Sequence, residues 1–111
     1  IDDILNYIPS RIAGLCVVVS AFLLGLDWKQ SFNVMMRDAR NCPSPNSGYT
    51  MATTAGALNI QLIKKDTYIL GDNNKDIDAD DITKAVNLSK LSIILFTLFI
   101  IILFTLIYVI L

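Results

Sequence analysis

The residues best suited to chemistry crowd into one stretch, where charged side chains are followed by prolines, amides and a glycine. It reads Arg37-Asp-Ala-Arg-Asn-Cys-Pro-Ser-Pro-Asn-Ser-Gly48. The two prolines and the Asn-Ser-Gly that follows them cannot continue a helix, and they present backbone and side-chain hydrogen-bonding groups along a tight path. Such a path suits the holding of a ligand better than the filling of a core. The alternative is a polar loop between two helices, because loops have this composition.

Composition narrows the chemistry that these residues can perform. The chain has no His, and all ten of its acidic residues are Asp. A general base, metal ligand or proton shuttle must therefore be Asp, Cys, Tyr or Lys, which excludes the usual zinc sites and histidine-based triads. Cys16 and Cys42 are spaced for neither a zinc motif nor a disulfide scaffold. The net charge of -1 gives no reason to expect a nucleic acid as a partner.

The elements that must position this stretch are membrane helices. Hydrophobic residues make up 54% of the chain and the mean hydropathy is +0.57, both high for a soluble domain. Residues 91–111 carry no charge and are long enough to cross a bilayer. The uncharged run 12–26 is too short to cross alone, so it must extend backwards, either from a first turn that contains Pro9 or as a kinked helix through Asp2 and Asp3. We expect one membrane helix within residues 1–26 and another at 91–111.

Residues 27–90 form the segment between these helices. Asp27 with Gln30 three residues later predicts a capped helix that runs to about Asn41. One apolar stripe is predicted along this helix: Trp28, Phe32, Met35, Met36 and Ala39. The helix could lie at the lipid interface or pack on other protein segments.

Three shorter elements follow. The small residues of 51–58 predict a helix that packs closely on a neighbour and ends at Asn59. Alternating apolar residues over 60–70 predict a short β-hairpin with a charged tip. Asp78 is expected to cap a further helix that carries acidic residues in its first turn.

Basic residues lie mainly between the two apolar runs, and by the positive-inside rule residues 27–90 should face the cytoplasm. Both ends of the chain would then lie toward the outer face. The predicted fold class is mainly α: integral membrane helices with an intervening cytoplasmic α-rich segment and one short β-hairpin.

Several short stretches, taken in order, carry a resemblance to a known family. They are Asp2-Asp3, Asn6-Tyr-Ile-Pro-Ser-Arg11, Asp27-Trp28, Arg37-Asp-Ala-Arg40, Pro43-Ser-Pro-Asn-Ser-Gly48-Tyr49 and Ala55-Gly-Ala-Leu58. They resemble the C-terminal part of the adenosylcobinamide-phosphate synthase family, integral membrane proteins of cobalamin biosynthesis. Residues 43–48, the signature segment from here on, are the most specific part, because six consecutive residues with matching flanks rarely agree by chance.

The resemblance implies a ligase in the cell membrane. Such an enzyme joins the propionate carboxylate of adenosylcobyric acid to the amine of (R)-1-amino-2-propanol phosphate, or of the bare amino alcohol, with ATP and Mg²⁺. Members of the family are longer multi-pass proteins, so this chain would be a C-terminal fragment. Its expected partners are the corrinoid substrate, aminopropanol phosphate, the lipid bilayer and the missing N-terminal membrane helices of the same protein.

The resemblance also implies roles for single residues. Arg37 and Arg40 would clamp a phosphate, since guanidinium is a planar bidentate donor. Asp38 would hold Mg²⁺, or else would only pair with a neighbouring Arg. The remaining residues expected to bind substrate are Ser44, Asn46, Ser47 and Gly48.

The chain departs from the family in two places. Cys42 stands where His is expected, and Thr50-Met51 stands where Pro-Glu is expected. No glycine-rich ATP signature is present in the sequence. These departures keep open an alternative function, a non-catalytic multi-pass membrane sensor or scaffold of the same architecture.

Overall fold

The computed structural model of the chain describes residues 2–41, 48–64 and 67–111 and is mainly helical. In chain order the elements are α1 (Asp2–Leu5), α2 (Tyr7–Leu23), α3 (Trp28–Asp38) with a 3₁₀ turn (Ala39–Asn41), α4 (Gly48–Leu58), β1 (Gln61–Lys64), β2 (Tyr68–Gly71) and α5 (Ala79–Ile110). The predicted fold class, mainly α with one short β-hairpin, is confirmed, and among the described residues one helix is long and apolar enough to cross a membrane.

The start of the chain combines features of both alternatives: α2 has Pro9 in its first turn, and the short helix α1 continues back through Asp2 and Asp3 with a break at Asn6. Asn6 occupies the N-cap of α2, although its side chain makes no capping hydrogen bond. Pro9 lies in the first turn of α2, where its missing N–H costs no helical hydrogen bond. The helix ends at Leu23, and Gly25, whose φ is +75°, turns the chain so that the N–H of Leu26 donates to the carbonyl of Ala21 at 2.8 Å.

Helix α3 begins as predicted, and only part of its apolar stripe is buried. Asp27 accepts a hydrogen bond from the N–H of Gln30 at 3.1 Å, while the Gln30 side chain donates to Asp72 instead of back to the cap. Three members of the predicted apolar stripe are exposed: Trp28, Phe32 and Met36. The buried face consists of Ser31, Val34, Met35 and Asp38. These three residues therefore do not form the contact with α4, and the two alternatives for them, the lipid interface or other protein segments, stay predictions.

Helix α4 packs on α3 at backbone distance, as its small residues predict. A Cβ added at Gly56 would lie 2.6 Å from the carbonyl oxygen of Gln30. The hydroxyl of Ser31 donates to the carbonyl of Thr53 at 2.8 Å across the same contact. Asn59, with φ of 56°, ends the helix as expected.

The predicted hairpin is confirmed, with Leu62 opposite Leu70 in an antiparallel pair. Leu70 is fully buried and anchors the hairpin to the main hydrophobic cluster. That cluster is completed by Val34, Met35, Ala39, Tyr49, Ala52 and Ala55. The hairpin therefore covers the C-terminal half of α3 and the start of α4.

Helix α5 joins the predicted capped helix and the predicted membrane helix into one element. Asp78 and Asp81 form a reciprocal capping box at its start. Within the described ranges, α5 is the helix long and apolar enough to cross a membrane, and no residue of its apolar window is buried. Helix α2 is apolar but shorter. The division at residues 26 and 90 and the multi-pass topology stay predictions.

Helices α2 and α5 pack side by side in opposite directions. The hydroxyl of Ser92 donates to that of Ser20 at 3.2 Å. Nearer the C-terminal end of α2, Ala21 packs against Leu88, which lies nearer the N-terminal end of α5. Hydrogen bonds of this kind suit helix contacts in a membrane.

Candidate functional site

The carboxylate of Asp38 lies at the centre of the candidate site. Its side chain is 9% exposed, and the guanidinium of Arg37 donates to both of its oxygens, at 2.9 and 2.7 Å. The backbone N–H of Gly71 donates to Oδ2 at 2.8 Å. Both oxygens of Asp38 thus accept hydrogen bonds. This is the arrangement expected if Asp38 pairs with a neighbouring Arg instead of holding Mg²⁺.

Arg37 extends the network to the turn after the hairpin. Its Nη1 lies 3.0 Å from Oδ1 of Asp72 and donates to Oδ2 at 3.2 Å, and Oδ2 also accepts from the side chain of Gln30. The hydrogen bonds that Arg37 donates to Asp38, and then to Asp72, raise the pKa of Arg37, and the bond from Arg37 lowers the pKa of Asp38. The network ties α3 to the hairpin and leaves the guanidinium of Arg37 largely occupied.

Arg40 differs from Arg37 in its surroundings. It lies in the 3₁₀ turn after α3 and is exposed. In the part of the chain that the structure describes, it forms no ion pair. Of the two arginines expected to bind phosphate, Arg40 is the one whose guanidinium is accessible to a ligand.

The end of the signature segment is held beside this turn. A Cβ added at Gly48 would overlap the carbonyl of Ala39, so only glycine allows the chain to pass here. Tyr49 follows, is buried, and packs over Gly14, where an added Cβ would lie 3.3 Å from the Cβ of Tyr49. Three predicted site residues, Ser44, Asn46 and Ser47, lie outside the described residues.

Sequence reasoning missed the contacts of Arg11 at this site. Its guanidinium carbon lies 3.5 Å from the ring centroid of Tyr7 and 4.5 Å from that of Tyr49. The spacing of four residues between Tyr7 and Arg11 could have indicated the first contact. Nothing in the sequence pattern indicates the second, which joins α2 to the residue after the signature segment.

A second buried carboxylate lies at the start of α5. Asp81 is 2% exposed and accepts hydrogen bonds at Oδ2 from Lys75 and from the N–H of Asp78. The hydrogen bond from Lys75 lowers the pKa of Asp81. The pair fixes the turn that leads from the hairpin into α5.

The described residues do not offer a good site for Mg²⁺. Among them, no group of three or more Cys or Asp side chains is placed to hold a metal ion. The oxygens of Asp38 already accept hydrogen bonds from Arg37 and Gly71, so a metal ion would have to displace donors there. We therefore assign no catalytic step to a metal held by these residues.

Comparison with known proteins adds information beyond the geometry. A curated relative from Methanothermobacter thermautotrophicus, named probable cobalamin biosynthesis protein CobD, is 56% identical over 98 residues, which is 88% of this chain and 33% of that protein. A relative from Methanocaldococcus jannaschii with the same name is 47% identical over 78 residues, 70% of this chain and 25% of that protein. One from Leptospira interrogans, named cobalamin biosynthesis protein CobD, is 39% identical over 113 residues, 95% of this chain and 36% of that protein.

The chain thus spans about a third of the length of the curated relatives it matches. No solved structure matches it. Residues 1–89 match the family described as CobD/Cbib protein, and this range contains the Asp38 network, Arg40 and the signature segment. Because the match covers most of the chain, the chain belongs to the CobD/Cbib family.

Proposed function

We propose that this chain is the C-terminal part of an adenosylcobinamide-phosphate synthase that acts in cobalamin biosynthesis. The enzyme forms an amide between adenosylcobyric acid and (R)-1-amino-2-propanol phosphate, or aminopropanol, at the expense of ATP. Family membership and the names of the relatives support the pathway. The particular reaction rests on the resemblance of the signature segment and its flanks. Residues outside these 111 would supply the rest of the active site.

The proposed reaction sets electrostatic demands on the protein. The substrate carboxylate takes the γ-phosphoryl group of ATP, ADP leaves, and the amine then displaces phosphate from the acyl carbon and loses a proton. Carboxylate, ATP and aminopropanol phosphate are all anionic, so cationic side chains must bring them together. The described residues need only bind and orient these groups for the proposal to hold.

The observation that carries the site assignment is the close approach of Gly48 to Ala39. It supports a site in which the end of the signature segment lies beside Arg40, the residue after Ala39. We propose that Arg40 binds a phosphate, together with Ser44, Asn46, Ser47 and Gly48. Arg37 has its guanidinium engaged by Asp38 and Asp72, and it would act by holding this end of α3 in place.

ATP and Mg²⁺ belong to the proposal through the resemblance alone. Mg²⁺ would accompany the ATP phosphates, and its protein ligands would lie outside the described residues. The role of Asp38 as a metal ligand stays a prediction, and its hydrogen bonds favour the structural alternative.

We further propose that the protein is a multi-pass protein of the cell membrane with residues 27–90 on the cytoplasmic side. The exposed apolar surface of α5 and its packing against α2 support the membrane location, and the basic residues between the two apolar runs support the cytoplasmic side. ATP and the water-soluble substrates would then reach the candidate site directly from the cytosol.

A growth experiment tests the pathway step. A strain that needs cobalamin and lacks the intact gene should grow on adenosylcobinamide phosphate but not on adenosylcobyric acid. The wild-type gene should restore growth on adenosylcobyric acid, whereas the Arg40→Ala variant should restore it poorly and Arg40→Lys in part. Growth of the deleted strain on both compounds would contradict the proposal and favour the sensor or scaffold alternative.

A further inference from the structure

Helix α3 has three distinct faces. One packs on the rest of the chain through Ser31, Val34, Met35 and Asp38. A polar strip carries Lys29, Asn33 and Arg37, which are exposed. Between these two lies an apolar strip of residues four apart, Trp28, Phe32 and Met36, with 39%, 40% and 66% of each residue exposed. In the part of the chain that the structure describes, no segment covers this strip, although its side chains are large and apolar.

The packing of α2 on α5 fixes the level of this strip relative to the apolar part of α5. Ser20 bonds to Ser92, just inside the uncharged end of α5, and Lys90 lies two residues before Ser92. The two helices run in opposite directions, so the step forward from Ser20 to Phe22 and the step back from Ser92 to Lys90 point the same way. Each step covers two residues, about 3 Å along the axis. Phe22 is thus level with Lys90, the last charged side chain before the uncharged part of α5.

Trp28 lies at the same level, because its ring meets that of Phe22 edge to face with centroids 5.7 Å apart. The exposed strip on α3 therefore continues the exposed apolar surface of α2, which includes Val19 and Phe22. The ammonium of Lys29 lies 5.7 Å from the Trp28 ring, next to the strip. Tryptophan with an adjacent lysine at the end of an apolar helix is typical of the boundary between hydrocarbon and water.

We propose that α3 lies in the headgroup layer of the lipid bilayer, with Trp28, Phe32 and Met36 facing the acyl chains. The polar strip then faces the aqueous side, and the packed face holds α4 and the hairpin above the membrane. Asp38 and Arg40, at the far end of α3, are thereby positioned close to the membrane surface. The proposal does not depend on which reaction the protein catalyses.

The composition of the chain offers a direct test, since Trp28 is its one tryptophan. The intact protein is reconstituted in phosphatidylcholine vesicles, with any tryptophan outside these 111 residues replaced by phenylalanine. Lipids brominated near the headgroup should quench Trp28 fluorescence more strongly than lipids brominated at the chain end. Acrylamide from the aqueous phase should quench it weakly.

A matched pair of variants separates the two exposed strips. In a Trp28→Phe background, a single new tryptophan is introduced by Phe32→Trp or by Asn33→Trp. Brominated lipid should quench the fluorescence of the first variant several-fold more strongly than that of the second. Acrylamide should quench the second more strongly than the first. Equal quenching of the two by acrylamide would overturn the proposal by placing the strip in water. Failure of both quenchers to reach residues 28 and 32 would overturn it by showing that protein covers the strip. Neither result depends on an activity assay, so failure here is distinct from failure of the proposed function.

Discussion

Asp38 accepts a hydrogen bond from the backbone N–H of Gly71 at 2.8 Å, and this contact joins the C-terminal end of α3 to the second strand of the hairpin. Arg37 donates to the same carboxylate at both oxygens. The conformation of the segment that leads to Arg40 therefore depends on one buried acid.

Replacing Asp38 should weaken this contact between α3 and the hairpin. In Asp38→Asn one acceptor oxygen becomes an NH₂ donor. That donor then faces the guanidinium of Arg37 or the N–H of Gly71, which are donors themselves. Because Arg37 is half exposed, we expect a loss of about 1–3 kcal/mol in unfolding free energy for Asp38→Asn. Thermal unfolding of the detergent-purified protein measures this loss. As a control, Asp80 is 74% exposed and pairs only loosely with Lys84, so Asp80→Asn should change stability by less than about 0.5 kcal/mol. Equal losses in both variants would contradict this account.

Acid should weaken the same contact, because it protonates the carboxylate of Asp38. The hydrogen bonds from Arg37 hold the folded-state pKa of Asp38 below its usual value of 3.8. A depressed pKa stabilises the fold above about pH 4, and that stabilisation is lost as the pH falls through the folded-state value. The unfolding midpoint of the wild type should therefore drop more steeply than that of Asp38→Asn between about pH 5 and pH 3. Asp81 titrates in both proteins, so the difference isolates Asp38; parallel curves would refute the assignment.

The contact between α3 and α4 predicts a graded response to added methyl groups. In Gly56→Ala the new Cβ meets backbone of α3, with the Gln30 oxygen at 2.6 Å and the Ser31 Cα at 2.7 Å. Backbone cannot move aside locally, so we expect a loss of about 2–3 kcal/mol. In Gly14→Ala the nearest atom is the flexible Met35 sulfur at 2.9 Å, and a loss of about 1 kcal/mol is expected. Chemical or thermal unfolding that reverses this order would show that the close approach is misplaced.

The stacking of Arg11 on Tyr49 predicts an energetic coupling between α2 and the start of α4. Arg11→Met removes the cation, and Tyr49→Leu removes the ring. If the contact at 4.5 Å stabilises the fold, the double variant should lose less stability than the two single losses added, by about 0.5–1 kcal/mol. Strictly additive losses would show that Arg11 and Tyr49 act independently.

Local patterns in the sequence predicted most of the elements. Asp27 and Asp78 cap helices, the small residues of α4 pack closely, and the hairpin forms around Leu70. Each of these features is decided by neighbours in sequence, which is why pattern reading finds them.

Contacts between distant residues were not predictable in the same way. The partner of Arg37 in the hairpin turn, Asp72, is 35 residues away, and the aromatic partner of Arg11 lies on another helix. The pattern of α3 indicated an apolar stripe but not which of its residues contact α4, because that choice depends on the shape of α4; Met35 is buried whereas Phe32 and Met36 are exposed. The continuity of α5 was missed because Lys84 and Lys90 mark a change of environment without ending the helix.

The most direct test of the account is the ligation reaction itself. Membranes that contain the intact protein are supplied with ATP, adenosylcobyric acid and aminopropanol phosphate, and adenosylcobinamide phosphate is measured. We predict product from the wild type and from Lys84→Ala, which removes a partly exposed cation that pairs with Asp80 at the start of α5. In Arg40→Ala and Asn46→Ala we predict a loss in kcat/KM of at least about tenfold, the effect of one charge-assisted phosphate contact. No product from folded wild-type protein would contradict the proposed function, and unchanged rates in both variants would contradict the placement of the site.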